Sequence, residues 1–218
     1  MVPSDAAGTN ERGIALIVTM MAALLLVALA GVLAPLATIE TAVGVNHRRS
    51  VEGLYAAEAA LELATAELGS LPDWSAVLSG ASRSAFRNGA LAPAMPGGEH
   101  IDLTALTGRL RSDGAGAGEA GRGLAWRLFA HGPLRAWVPV PAGYGPWLVA
   151  VWIADDRADP DPDRERDAND TIVAHAGAFG PRRAARAVQA TLVRQRVAPP
   201  PPAPPVARVR LVSWRIVQ

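Results

Sequence analysis

Cysteine is absent from the 218 residues, which excludes disulfide staples and thiolate zinc sites and leaves the core to hold by packing alone. The absence does not decide the compartment. Lysine is missing as well, so all 21 basic residues are arginine, a compositional bias rather than a functional signal. A net charge of +1 gives no global attraction to nucleic acid or anionic lipid. The longest silence is in charge itself: between Arg12 and Glu40 no residue is ionisable. A helix rises about 1.5 Å per residue, and roughly 20 apolar residues cross a bilayer core, so Gly13 to Ile39 suffices for one membrane-spanning helix.

Three readings of this terminus stand side by side. In the first, Ala28-Leu29-Ala30 before Gly31 is the small-residue cleavage site of a secretory signal. The leader opposes it, because residues 1 to 12 set Asp5 and Glu11 against Arg12 alone and the apolar run continues past Ala30. In the second, the run is an uncleaved anchor for a periplasmic binding module. The third rests on Arg12-Gly13 followed by Ile14-Ala15-Leu16-Ile17-Val18, which resembles the leader and mature start of type IV pilins and type II secretion pseudopilins.

That resemblance implies a prepilin leader over residues 1–13, cut by a prepilin peptidase between Gly13 and Ile14, with N-methylation of Ile14. Pro35 then holds the twenty-second mature place, where many pilins also carry proline. A glycine before the cut lets a protease approach the backbone closely. Most pilins carry glutamate at the fifth mature position, and here it is Val18. This departure removes one subunit contact and one acid from the hydrocarbon, and it points to a minor pilin or pseudopilin rather than the bulk subunit. Arg48 and Arg49 would by the positive-inside tendency hold the C-terminal side in the cytoplasm. The family resemblance instead implies a single-pass inner-membrane protein with a periplasmic C-terminal domain, and that is the expectation adopted.

Beyond the span over 14–39, Val43, Val51, Leu54, Leu61 and Leu68 recur at helical steps, and Gly69 with Pro72 supplies a stop. A stalk helix over 40–69 follows. A helix continuous from Ala15 to Leu68 would be about 80 Å long, with a kink expected at Gly31 and Pro35. Tyr55-Ala-Ala-Glu-Ala-Ala-Leu-Glu62 reads as a plain alanine-rich helix. It also resembles the segment after the span in PilX-type minor pilins.

The head, 70–198, is expected to start with a short helix around Asp73 to Leu78 and another from Asp102 to Arg111, before a flexible Gly114 to Gly118. Extended segments follow at Leu124 to Phe129, Trp147 to Ile153, Thr171 to His175 and Ala185 to Val197. Trp147 to Ile153 is apolar on both faces, as a doubly covered central strand would be. Turns at Asp155 to Asp170 and Gly177 to Arg183 imply an antiparallel meander. A polyproline spacer at 199–205 precedes a last strand in 206–218. The expected class is α+β, a long N-terminal transmembrane and stalk helix followed by a small antiparallel sheet, and the string from Trp147 onward also resembles the C-terminal half of PilX-like proteins.

Asp155, Asp156, Asp159, Asp161 and Asp163, with Asp167, Asn169 and Asp170 beyond them, crowd oxygen donors into one loop. Hard cations such as Ca2+ take six to eight oxygens. The spacing is not that of an EF-hand, and Arg157, Arg164 and Arg166 offset part of the charge, so a calcium site and a solvated acidic turn both remain open. Arg182, Arg183, Arg186, Arg194, Arg196, Arg208, Arg210 and Arg215 make the C-terminal stretch basic. Without interleaved aromatics it reads as a solvated sheet face balancing the acidic loop, and nucleic acid is not expected as a partner. His47, His100, His131 and His175 lack metal spacing, and no nucleophile elbow or phosphate loop is present. Enzymatic activity is not expected. The partners expected are other pilins through the N-terminal helix, the peptidase and the inner membrane, with the rival readings an anchored binding module or a secreted cation-binding or adhesive domain.

Overall fold

The computed structural model describes residues 8–95, 98–115, 123–197 and 206–217. The polyproline spacer at 199–205, the first seven residues of the leader and Gly116 to Gly118 lie outside the described residues. Two compact units divide the chain, Met1–Arg48 and Arg49–Gln218.

The first unit is helical. Its described residues belong to α1, Gly8–Ser70, which also supplies the opening element of the second unit. Every described side chain between residues 13 and 48 is exposed, including Leu25 at 69% and Val27 at 71%. The most apolar stretch has a mean hydropathy of 2.8 and none of it is buried inside the protein. The hydroxyl of Thr19 donates to Leu16 O at 2.8 Å, which satisfies a polar group on this surface within the helix itself. Gly31 and Pro35 lie inside α1 with helix on both sides.

The second unit is a five-stranded antiparallel meander between helical layers. Its strands are β1 (Arg127–Pro133), β2 (Leu148–Asp155), β3 (Thr171–Phe179), β4 (Ala185–Val197) and β5 (Val206–Val217), in that spatial order. The strand period of two sends alternate β2 residues to opposite faces. Val149, Val151 and Ile153 join one core with the 53–68 portion of α1 and with α2, Ser75–Leu78. Leu148, Ala150, Trp152 and Ala154 join another with Leu103 and the leucines of α3, Leu103–Ala115. The doubly apolar β2 sequence thus has its physical cause in two covered faces.

On the first face α1 presents Ala56, Ala57, Ala60, Leu61, Ala64 and Leu68, all buried. Small side chains at i, i+4 and i+8 let the helix axis approach the sheet, and Gly53 extends the stripe to a position where no side chain fits. A Cβ there would stand 2.7 Å from the ring of Trp147, and one at Gly180 would stand 2.6 Å from the same ring. From Arg49 onward the residues expected to form a stalk belong to the same compact unit as the sheet, and the stripe from Ala56 to Leu68 lies in its core. At the end of α1 the carbonyl of Leu68 accepts from Leu71 N and from the indole of buried Trp74. α3 is opened by Asp102, whose carboxylate accepts from Thr104 N and Ala105 N at 2.9 Å each.

The expected strands are present with shifted ends. β1 starts later and runs through His131-Gly132-Pro133, because its backbone pairs with Leu148–Ala150 and with the segment around Phe86. β3 continues through Gly177 to Phe179, since β2 and β4 flank it on both sides. The turn that follows uses Arg182 and Arg183 with φ of 57° and 60°. The last strand expected in 206–218 is β5, the fifth strand of the sheet, paired with β4 along Ala187–Val197.

Candidate functional site

The loop from Asp156 to Asp170 joins β2 to β3 and carries the acidic crowd. Most of these carboxylates are used by the loop's own backbone. Asp156 accepts from Ala158 N and from the amide of Asn169, Asp161 accepts from Asp163 N, and Asp163 accepts from Glu165 N. These short-range bonds hold a proline-interrupted loop in successive Asx turns. Of the five acids named from sequence, only Asp155 and Asp159 point to a common centre. Asp156, Asp161 and Asp163 do not, and the third member is Asp167, brought in from the far end of the loop.

Carboxylate oxygens of Asp155, Asp159 and Asp167 all lie within 4.8 Å of one another. Asp155 ends β2 and is 6% exposed, and Asp159 is 3% exposed. Asp159 accepts from Asp161 N at 2.7 Å and Ala168 N at 2.8 Å, which ties the two ends of the loop together. The side chain of Asp167 is fully buried. Its backbone N donates to Ser75 Oγ, and its Oδ1 accepts from Thr171 N. Its Oδ2 has no hydrogen-bond partner among the described residues.

Burial pushes the Asp155 carboxyl up to about 7, helped by the neighbouring charges of Asp159 and Asp156. Burial likewise raises Asp167, against the hydrogen bond from Thr171 that favours its charged form. Both groups show what it takes to gather negative charge away from water.

The nearest buried cation is Arg194, which the sequence reading placed on a solvated face. It is 6% exposed instead. Its guanidinium pairs with Asp170, donates to Pro72 O at 2.8 Å and lies 5.0 Å from the ring centre of Trp74. Asp167 Oδ2 stands 3.7 Å from it, beyond hydrogen-bond reach. Other members of the basic stretch are also engaged: Arg186 donates to Ser50 Oγ and Arg215 to Gln189 Oε1.

The remaining predicted positions lie on α1. Gly13 and Ile14 are exposed, and a Cβ built on Gly13 or on Gly31 meets nothing within 4 Å. Packing within this chain therefore does not require glycine at either place. Two histidines are buried. His175 packs edge-on against Trp126 and Trp152, with ring centres 5.8 and 5.6 Å away, and burial with Arg215 nearby pushes it down to about 4. His131 faces Gly89 O at 3.3 Å. Neither sits with the carboxylate cluster.

Comparison with protein-family models, with curated proteins and with solved structures finds no match to the chain.

Proposed function

We propose that the chain is a filament subunit of the type IV pilus or type II secretion kind, a minor pilin or pseudopilin matured by a prepilin peptidase. One observation carries the reading: the described apolar side chains of the first part of α1 are exposed, and its last part is the helix on which an antiparallel sheet is built. A surface of exposed leucine, isoleucine and valine is stable only in lipid or against other apolar helices. A filament subunit meets both in turn, first in the inner membrane and then in a bundle of like helices. The Arg12-Gly13-Ile14 junction, with an unpacked glycine before the apolar run, supports the same reading. On this proposal the C-terminal domain is periplasmic before assembly.

Sequencing the N-terminus of the native protein tests it. The expected first residue is Ile14, and Gly13→Leu should leave the precursor at its full length with at least a tenfold loss of processed protein. A native chain beginning at Met1 would support the anchored module instead, and one beginning at Gly31 the secreted domain.

A further inference from the structure

β5 has β4 on one side and, among the described residues, no strand on the other. In an antiparallel ladder alternate residues turn their N–H and C=O groups outward, so this margin offers a row of donors and acceptors to solvent. Its two faces differ in chemistry. Leu211, Trp214 and Ile216 stand opposite Leu192, Ala190 and Val188, which places them on the side of the sheet that α1 covers. They nevertheless stay 42–51% exposed. A groove of about 610 Å³ lies between Val209, Leu211 and Trp214 on β5 and Glu58, Leu61 and Glu62 on α1. Arg208, Arg210 and Arg215 occupy the other face, opposite Gln195, Val193 and Gln189. Among the described residues no carboxylate pairs with any of the three. Thr191 faces Ser213 while Leu192 faces Leu211, so Val212 is the extra residue of a bulge, and the alternation holds on either side of it.

We propose that β5 is the docking edge for an extended segment of another protein, added as a sixth strand whose side chains alternate between apolar and acidic. The pleat dictates the pattern. Alternate side chains of an added strand fall beside Leu211, Trp214 and Ile216, and the intervening ones fall beside Arg208, Arg210 and Arg215. Glu58 and Glu62 on the α1 wall of the groove repel acids from the apolar face, which fixes the partner's register. A second copy is turned away, because another β5 brings arginine and no acid in any register. Exposed edges are commonly guarded by charge and by bulges. Here the charge has a single sign, so it bars one class of strand and selects another. Recognition at β5 is independent of processing at Gly13, and failure of either leaves the other standing.

The test uses the full chain in uncharged detergent micelles and fluorescently labelled synthetic peptides of about eight residues, within the ordinary length of a strand. Fluorescence anisotropy is expected to show saturable binding of a peptide that alternates valine with glutamate, at least tenfold tighter than a peptide of the same composition with its valines and glutamates in separate blocks. N-methylation of alternate amides, which removes ladder donors and leaves the protein untouched, should abolish binding. Arg208→Glu and Arg210→Glu made together should weaken binding at least tenfold and confer binding of a valine-arginine peptide that the wild type rejects. Both side chains are exposed, so this variant should melt with the wild type. The proposal is overturned by an absence of saturable binding up to about 1 mM peptide, by equal affinity for the alternating and block peptides, or by binding that survives either the N-methylation or the double substitution. A wild-type dimer in the micelle that Trp214→Glu dissociates would give the face to a second copy. Quenching by a brominated detergent that Trp214→Phe removes would give it to lipid, and either result overturns the proposal as well.

Discussion

At the scale of single residues, the second unit holds ionisable groups where water does not reach, and each makes stability depend on pH in a calculable direction. His175 is the clearest. Its folded pKa, pushed down to about 4, lies below the ordinary histidine value near 6.5. Stability from its neutral form is fully present above about pH 6.5 and is lost as pH falls toward 4, because only the unfolded chain takes up the proton. The loss approaches roughly 3 kcal/mol at the lower end. Urea unfolding of wild type and His175→Gln from pH 4 to 8 should give curves that diverge in this window. Their difference isolates His175 from carboxylates that titrate over the same range, and parallel curves would refute the assignment. Little of this was legible beforehand, since sequence gives four scattered histidines and no burial. The cluster was half legible: acids spaced two apart signalled oxygen donors, but the backbone of a tight loop consumes alternate ones, and only the folded path delivers Asp167.

At the scale of elements, the approach of α1 to the sheet depends on what is missing at Gly53. Glycine in a helix interior ordinarily costs about 1 kcal/mol relative to alanine, so Gly53→Ala would gain on propensity. It meets Trp147 at 2.7 Å, however, and Gly180 limits that ring as well. Overpacking of this kind costs about 1–3 kcal/mol, and the net expectation is a lower thermal midpoint. Gly108→Ala in α3, where nothing lies within 4 Å, should raise it by the propensity gain alone. Equal effects at the two sites would contradict this packing. The helix was readable from its period and the sheet from its alternation, including the doubly apolar β2. The errors fell at His131-Gly132-Pro133 and Gly177-Ala178-Phe179, where glycine and proline signal a turn by local preference. Ladder partners on neighbouring strands override that preference.

For the whole molecule, the architecture expected from sequence, a long apolar-to-amphipathic helix followed by an antiparallel sheet, is the one observed, and the division between units falls at Arg48 rather than at the end of the helix. Pattern could not place that boundary, because an alanine stripe reads alike whether it faces water or a sheet. The two sheet margins also differ. β1 is shielded by the segment near Phe86 and Asn88, whereas β5 carries Leu211, Trp214 and Ile216 partly exposed, with Arg208, Arg210 and Arg215 among them. β5 is the last of the five strands to be translated, so β4 waits with a bare margin until it arrives. A chain stopped at Val197 should therefore self-associate through β4 and sediment as aggregates, while the full chain stays dispersed in the same detergent. Ribosomal pausing or premature termination over the proline-rich stretch would strand nascent protein in that adhesive state, making the twelve residues of β5 a quality checkpoint for biogenesis.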